Sequence, residues 1–338
     1  MSLFPDVRSF EDALLSLPAP DDAAITAASA RQAQLTKPAG SLGRLEDVAV
    51  FFAAWQQVER PVIARGRAAI FAGNHGITVH GVSAFPGEVT VEMVRNFERG
   101  GAAINALSAA AGLELVVVPI ALDRPTGDFT TGPAMDADEC LAALSAGAAV
   151  VEDGVDLLVL GEMGIGNTTP AAALAARSFG GTGRDWVGKG TGIDAEGLAR
   201  KERVVDAGLA RHADAPMTAF ETLRRLGGRE IAAIAGAVLA ARLKRMPVLL
   251  DGFITCAAVA PLAVANRAIT AHCLAAHCSA EQGHQALLDR LGLEPLLRLS
   301  MRLGEGSGAA VATQVVRSAL AAHAGMATFT EAGVSGGQ

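Results

Sequence analysis

Short, mainly apolar runs recur along this chain, and most of them stop at a glycine or a polar residue. They lie at residues 68–72, 113–120, 156–160, 247–250 and 271–276. An apolar run without polar alternation is typical of a strand buried on both faces, as in a parallel sheet. Helical patterns separate the runs, at residues 89–111, 145–151, 169–179, 197–212 and 228–244. This alternation predicts an α/β fold in which helices cover both faces of a parallel sheet.

The first 60 residues have a different texture. Apolar residues recur there at helical spacing, which predicts three helices at residues 12–17, 21–34 and 45–58. No strand-like run interrupts them. We therefore expect this segment to form helices that stand apart from the sheet.

Glycine-rich and polar segments follow several of the predicted strands. They are residues 73–76, 161–169, 251–253 and 279–284. In parallel α/β sheets, ligands bind outside the carboxyl ends of the strands. The position of these segments predicts a ligand site at that edge of the sheet.

The most informative of these segments reads LGEMGIGNTTP, at residues 160–170, between a strand and a helix. Gly164, Gly166, Asn167 and Thr168 are candidates to bind a phosphate, because glycines allow close backbone approach and a helix N-terminus offers free N–H groups. The spacing resembles a P-loop, but asparagine stands where an NTPase needs lysine, so a kinase or ATPase is excluded. The alternative is a tight turn with no ligand. A carboxylate at Glu162, beside the turn, favours a site.

A second glycine segment, at residues 188–192, offers further backbone donors at Gly188, Gly190 and Gly192. A plain surface loop is the alternative. Lys201 lies nine residues after Gly192 and is a candidate to bind a phosphate or to pair with Glu162. Its alternative is a solvated lysine on the surface of a helix.

Glu305 is a single carboxylate among small and apolar neighbours, in the sequence LGEGSGA that begins at Leu303. Removal from water raises the pKa of a carboxyl group and can make it a usable general base. Leu303 and Gly306 are its candidate substrate-binding neighbours. An exposed turn glutamate is the alternative.

Residues 83–94 follow the loop after the first predicted strand. Phe85 is a candidate to stack on a flat base, and Glu92 is a candidate to accept a hydrogen bond from the N–H of that base. Ser83 begins the same stretch. For Phe85 the alternative is packing in the core.

Two patterns suggest metal or pyrophosphate chemistry but do not fit it. His272, Cys273, His277 and Cys278 lack a standard zinc-ligand spacing, and alternate strand residues do not converge easily. The acidic residues Glu152 and Asp153 are not followed by the Thr-Gly loop of transferases that use phosphoribosyl pyrophosphate. The sequence therefore predicts neither a metal site nor a cofactor.

Composition and charge limit the partners of this chain. A net charge of −7 argues against a nucleic-acid partner, which normally meets a basic face. No segment approaches the roughly 18 uncharged apolar residues of a membrane span. The first twelve residues lack the pattern of a signal peptide, and four cysteines without paired spacing suggest a reducing compartment. We expect a cytoplasmic protein without a membrane or nucleic-acid partner.

Seven segments taken together resemble the nicotinate-nucleotide–dimethylbenzimidazole phosphoribosyltransferase family, which acts in cobalamin nucleotide-loop assembly. Each is moderately specific, and they occur in order across nearly the whole chain. The segments are residues 37–43, 73–76 with 82–86, 100–104, 161–169, 251–254, 279–284 and 302–309.

The resemblance implies a Rossmann-like parallel sheet flanked by helices, with a small helical domain built from the chain termini. Residues 1–60 would form its N-terminal helices, residues 61–300 a large domain that binds nucleotide and base, and residues 301–338 a segment that carries Glu305 and returns to the small domain. It also implies a homodimer with sites near the interface. The implied reaction transfers 5-phosphoribose from nicotinate mononucleotide to 5,6-dimethylbenzimidazole, giving α-ribazole 5′-phosphate and nicotinate, without a metal.

The resemblance also implies roles for individual residues. Glu305 matches the general base, Glu162 the buried acidic residue near the ribose, and Lys201 the lysine nearby. Residues 164–168 and 188–192 and Ser279 match phosphate-binding positions, and Phe85 and Glu92 fall in the stretch that contacts the benzimidazole. Glutamine is usual in the family at the position of Glu92. Two alternatives stay open: a different acceptor, adenine or a phenol, and a non-catalytic nucleotide-binding regulator.

Overall fold

The structure is a computed structural model, and it describes residues 3–188, 190 and 192–335. Its sheet contains six parallel strands in the order β2-β1-β3-β4-β5-β6. The strands are β1 (Gly66–Ala72), β2 (Leu113–Pro119), β3 (Leu157–Met163), β4 (Val248–Leu250), β5 (Cys273–His277) and β6 (Pro295–Leu297). This topology confirms the predicted α/β fold with a parallel sheet.

Fifteen α-helices occur among the described residues. They are α1 (Val7–Leu15), α2 (Asp22–Gln34), α3 (Arg44–Gln56), α4 (Val89–Glu98), α5 (Ala103–Ala111), α6 (Ala137–Ala149), α7 (Thr168–Phe179), α8 (Gly183–Trp186), α9 (Ala195–Arg211), α10 (Ala219–Leu226), α11 (Arg229–Leu243), α12 (Phe253–Ala265), α13 (His284–Leu291), α14 (Ser307–Gly325) and α15 (Phe329–Ala332). Two short 3₁₀ turns, Gly76–His80 and Arg267–His272, complete the regular structure.

Helices cover the sheet on both faces, because alternate strand residues point to opposite sides. On β1, Ala69 and Phe71 belong to a core that includes α6, α7, α11 and α12. Ala68 and Ile70 belong to a second core on the other face, with α3, α5 and α14. The central strands are therefore buried on both sides, as their apolar runs predict.

The outer strand β2 departs from the prediction. It is the edge strand of the sheet, and most of its residues are half-buried or exposed. The expectation that residues 113–120 are buried on both faces is therefore wrong. A mainly apolar run predicts a strand, but it does not say whether that strand lies in the middle or at the edge of the sheet.

Several helix bounds also differ from the sequence-based expectations. Residues 89–111 form two helices, α4 and α5, because Gly100 at φ +79° breaks the pattern. The helix expected at residues 145–151 begins much earlier, at the cap residue Asp136, whose side chain accepts a hydrogen bond from the Glu139 N–H. The first helix likewise begins earlier, after a cap at Asp6.

The two ends of the chain pack together. Arg31 on α2 donates hydrogen bonds from its guanidinium to the carbonyls of His323, Ala324 and Met326 at the end of α14. An isolated antiparallel bridge joins Leu35 to Thr328. These contacts fit a small helical unit made from both termini, whose boundaries stay a prediction.

No helix among the described residues is long and apolar enough to cross a membrane.

Candidate active site

A cleft opens at the carboxyl ends of β3, β4 and β5. Three of the glycine-rich segments that follow predicted strands contribute to it, as does the segment before α14. The lining residues are Glu162, Met163, Gly164, Ile165, Asn167, Thr168, Gly190, Asp251, Gly252, Phe253, Ile254, Thr255, His277, Ser279, Glu281, Arg302, Leu303 and Gly304.

The turn between β3 and α7 forms one wall of the cleft. Gly164, Asn167 and Thr168 line it, and Gly166 lies within the same turn. The N-terminus of α7, which begins at Thr168, faces the cleft. The Thr169 N–H donates to the Gly166 carbonyl and Pro170 has no N–H, so the Thr168 N–H and the positive end of the helix dipole are what favour an anion there.

Glu162 is the penultimate residue of β3, at the base of this turn, and is only 7% exposed. Its carboxyl accepts a hydrogen bond from the side-chain amide of Asn167. Burial, reinforced by the carboxylates of Glu230, Asp251 and Glu305 and opposed by the Asn167 hydrogen bond, raises the pKa of Glu162 to about 8. A carboxyl group with this pKa is mostly protonated at neutral pH and can then donate a hydrogen bond.

Lys201 on α9 is 2% exposed, so the alternative of a solvated surface lysine is wrong. Its Nζ donates hydrogen bonds to Thr168 Oγ1 at 2.7 Å and to the Gly188 carbonyl at 3.3 Å. Burial, partly opposed by the Glu281 carboxylate, lowers the pKa of Lys201 to about 8. The ammonium thus approaches the N-terminus of α7 rather than pairing with Glu162.

The glycine segment around residue 190 is held between two other loops. The Gly190 N–H donates to Glu281 Oε2 at 3.3 Å, and Arg302 Nη1 donates to the Gly190 carbonyl at 3.1 Å. Gly190 lines the cleft, whereas Gly192 is exposed and outside the lining. Lys189 and Thr191 lie outside the described residues.

Ser279 lines the cleft on the side of β5. Its hydroxyl lies 3.0 Å from His284 Nδ1, and its backbone N–H donates to the same nitrogen at 2.8 Å. Burial, together with the neighbouring His277, lowers the pKa of His284 to about 3. A neutral His284 therefore fixes the orientation of Ser279 in the cleft.

Glu305 lies directly before α14, behind the cleft residues Leu303 and Gly304. It is 6% exposed, and its Oε2 atom has no hydrogen-bond partner among the described residues. Burial raises the pKa of this carboxyl, the Asp251 carboxylate raises it further, and the Ile104 N–H lowers it. The expected alternative of an exposed turn glutamate is wrong, and a buried carboxylate with a free oxygen suits a general base.

The N-terminus of α14 can lie against β3 only because position 161 is glycine. A Cβ on Gly161 would lie 2.5 Å from the Gly306 nitrogen and 2.6 Å from the Glu305 carbonyl carbon. Gly306 serves as the N-cap residue of α14 and does not line the cleft. The glycine after the β3 run thus brings Glu305 to the carboxyl end of the sheet.

Ser83, Phe85 and Glu92 lie outside the lining of this cleft. Phe85 is 49% exposed, so it does not pack in the core, and its N–H donates to Ser83 Oγ at 3.2 Å. Glu92 is an exposed residue in the first turn of α4. Thr90 connects that turn to the cleft, because its Oγ1 accepts a hydrogen bond from the Ile165 N–H at 3.1 Å.

Several polar residues of the site were not among the predicted site residues. Asp251, His277, Glu281 and Arg302 all line the cleft. Asp251 carries a usable signal, since an acidic residue directly after a buried apolar strand lies at the ligand-binding edge of a parallel sheet. His277 carries the same signal, as the last residue of β5, whereas Glu281 and Arg302 gain their positions from loop folding, which no local pattern predicts.

Side chains of the two patterns that suggest metal or pyrophosphate chemistry make hydrogen bonds and ion pairs within the protein. His272 Nε2 donates to the Val238 carbonyl at 3.0 Å, away from His277 at the cleft. Glu152 binds Arg67 Nη2 at 2.8 Å, near the amino end of β1 and far from the ligand-binding edge. Within the described residues, no group of three or more His, Cys, Asp or Glu side chains is arranged to hold a metal ion.

The chain is similar to known proteins over nearly its whole length. Residues 17–334 match the family model DBI_PRT, described as phosphoribosyltransferase. The nicotinate-nucleotide–dimethylbenzimidazole phosphoribosyltransferase of Novosphingobium aromaticivorans is 68% identical over 100% of both chains. The protein of the same name from Ruegeria pomeroyi is 57% identical over 98% of both. The crystal structure of CobT from Thermus thermophilus has a TM-score of 0.88 at 40% identity, covering 93% of this chain and 100% of that one.

Proposed function

Because the chain belongs to the nicotinate-nucleotide–dimethylbenzimidazole phosphoribosyltransferase family, we propose that it transfers 5-phosphoribose from nicotinate mononucleotide to 5,6-dimethylbenzimidazole. The chain is a phosphoribosyltransferase, and its substrates are small molecules. The observation that carries the proposal is the buried Glu305 carboxylate, with one oxygen unpartnered among the described residues, beside the cleft that the N-terminus of α7 faces.

The nucleotide phosphate binds at the N-terminus of α7 in this proposal. The N–H groups of Gly164, Gly166 and Thr168 and the Lys201 ammonium provide hydrogen-bond donors and positive charge, whereas those of Ile165 and Asn167 already donate within the protein. Gly188, Gly190 and Ser279 complete the phosphate contacts. Glu162, protonated near neutral pH, donates a hydrogen bond to a ribose hydroxyl.

Transfer then requires one proton acceptor. A benzimidazole nitrogen attacks C1′ of the ribose while the bond from C1′ to the pyridinium nitrogen breaks. The electron pair of that bond stays on the pyridine nitrogen, so nicotinate leaves with a neutral ring and needs no acid. The second benzimidazole nitrogen loses its proton to Glu305. The transition state resembles an oxocarbenium ion, and holding both rings against the ribose provides much of the rate.

We also propose that the protein is cytoplasmic and forms a homodimer with the site near the interface. Two exposed apolar side chains support the second point. Leu303 lines the cleft and is 58% exposed, and Phe85 precedes the helix that contacts the cleft turn. A second subunit would cover such surfaces.

The first test is direct turnover of nicotinate mononucleotide and dimethylbenzimidazole, followed by release of nicotinate. We expect activity that survives exhaustive dialysis against EDTA, because the leaving group is nicotinate and no pyrophosphate charge needs a metal. Loss of turnover with EDTA and recovery with Mg²⁺ or Zn²⁺ would contradict the mechanism. Binding of nucleotide with no turnover of any acceptor would instead favour a non-catalytic regulator.

The acceptor preference provides a second test. Aromatic stacking contributes roughly 0.5–1.5 kcal/mol beyond area burial, so Phe85→Ala should raise the acceptor KM several-fold and leave the nucleotide KM nearly unchanged. In the bound acceptor, the Glu92 carboxylate would share the single benzimidazole N–H with Glu305, whereas a carboxylate cannot donate to a phenol oxygen. Benzimidazoles should therefore outcompete phenols in a mixed-acceptor assay at neutral pH, and Glu92→Gln should narrow the difference.

Glu98→Gln is the matched control for that assay, because Glu98 is an exposed carboxylate at the far end of the same helix. It should leave the acceptor ratio unchanged. If the unmodified enzyme used phenol or adenine as readily as dimethylbenzimidazole, the acceptor assignment would be wrong while the donor stood.

A further inference from the structure

The N-terminus of α14 is bonded to a residue from a different strand. Asp251 follows β4 directly and is 1% exposed. Its Oδ1 accepts a hydrogen bond from the Ala309 N–H at 2.8 Å, in the first turn of α14. The N-cap residue, Gly306, has no side chain to bond that turn. Asp251 therefore provides from outside the helix the acceptor that a side-chain cap normally provides from within it.

The backbone that carries Glu305 is strained. Gly304, Glu305 and Gly306 have φ values of +83°, +61° and +78°, so three consecutive residues lie in the left-handed region. For a residue with a Cβ this conformation is unfavourable, and it persists only where surrounding contacts hold it. The Ser307 hydroxyl, which donates to the Gly304 carbonyl at 2.7 Å, is one local contact.

His277 packs beside the bond from Asp251 to α14. Its Nε2 lies 3.6 Å from Asp251 Oδ1. Its ring lies flush against the helix, because a Cβ on Gly308 would overlap His277 Cδ2. The ends of β4 and β5 therefore hold the first turn of α14 from two sides, three to four residues after Glu305.

We propose that Asp251 is a positioning residue that holds Glu305 in its reactive orientation through the Ala309 N–H of α14. The inference rests on the proposed function, in which Glu305 accepts the acceptor's proton. Asp251 acts on the chemical step rather than on nucleotide binding. Its role depends on a hydrogen-bond acceptor at Oδ1, which asparagine retains and alanine removes.

The test compares Asp251→Ala and Asp251→Asn in the full chain, with saturating and limiting nucleotide. We expect Asp251→Ala to lower kcat at least about 10-fold, since misplacing a catalytic group by about 1 Å can cost more than that. The nucleotide KM should stay within about two-fold. Asp251→Asn should restore kcat to within about three-fold of the unmodified enzyme, because its Oδ1 still accepts from Ala309.

The pH profile separates positioning from a merely structural role. The Asp251 carboxylate raises the pKa of Glu305 in addition to burial. Removing its charge in Asp251→Asn should therefore move the acid limb of kcat/KM for the acceptor to lower pH. Among the described residues, the groups around Glu305 and its partner are Glu162 on β3, Asp251 after β4, His277 on β5, the Ile104 N–H of α5 and Arg302 on its own segment.

Asp136→Ala is the matched control, because it removes the side-chain cap of α6, where Asp136 Oδ1 accepts from the Glu139 N–H at 2.7 Å. It should lower thermal stability without changing kcat. Hydrogen exchange over residues 303–313 should be faster in Asp251→Ala than in Asp251→Asn, which gives a readout even where activity is too low to measure.

Three outcomes would overturn the inference. In the first, Asp251→Ala keeps the kcat of the unmodified enzyme while Glu305→Gln has a lowered kcat. The positioning role would then be wrong and the proposed function would stand. Another is a large rise in nucleotide KM with kcat preserved, which would make Asp251 a substrate ligand. The last is full turnover in Glu305→Gln itself, in which case the proposed function fails and the positioning role with it.

Discussion

Replacing Glu305 with glutamine is expected to lower turnover at least about 100-fold, because a positioned general base contributes roughly 10²–10⁴-fold. Glutamine keeps the shape and the polar atoms of the side chain but cannot take up the acceptor's proton. The protein should still fold and bind nicotinate mononucleotide, since the phosphate-facing turn and Lys201 are untouched. Steady-state kinetics and calorimetric nucleotide binding measure the two effects separately.

Glu331→Gln is the control, because it changes an exposed carboxylate that caps the last helix. It should leave kcat unchanged. Formate added to Glu305→Ala should restore part of the turnover if a carboxylate base is what the site lacks. Near-normal turnover in Glu305→Gln would remove Glu305 from the base role and make Glu162 the next candidate.

Replacing Lys201 with methionine is expected to raise the nucleotide KM about 10- to 100-fold, since a hydrogen bond from a charged donor is worth roughly 1.5–3 kcal/mol. Methionine fills similar space but provides no charge for the phosphate. Lys244→Met is the matched control, because that lysine binds Asp153 and the Val151 carbonyl on the surface. An unchanged nucleotide KM in Lys201→Met would exclude the phosphate role.

The positive charge of Lys201 also predicts how nucleotide kcat/KM changes with pH. With its pKa lowered to about 8 by burial, Lys201 loses its charge as the pH rises through that value. Nucleotide kcat/KM should therefore fall above about pH 8 in the unmodified enzyme, and this fall should be shallower in Lys201→Met, where only Glu162 still titrates in that range. The pKa of Glu162 lies in the same range. The limb should accordingly survive in Glu162→Gln, which distinguishes the two groups.

Local signals are strong enough to predict the part of the fold that carries the cleft. The β3 run, the following turn and α7 are where the sequence places them, because a glycine-rich turn separates a short apolar run from a helical one. The helix α12 was not predicted. Its residues are apolar all round and include Pro261, so they show no amphipathic period.

Local sequence signals also predict part of the site. Glu162, Asn167, Thr168 and Ser279 line the cleft because they follow strands, and strand ends meet at one edge of a parallel sheet. The partners of Lys201 could not be read in this way, since its ammonium meets Thr168 only after α9 packs on α7. The exposure of Phe85 depends on the path of an irregular loop.

The order of these segments along the chain has a consequence for how the protein is synthesised and folds. Chains emerge from the ribosome N-terminus first, so the turn after β3 is synthesised well before the segment that holds Glu305. The base then has to insert against Gly161, on a strand near the middle of the sheet. A chain that ends before residue 305 therefore lacks the base, and catalytic competence requires α14 to be synthesised and to pack against β3.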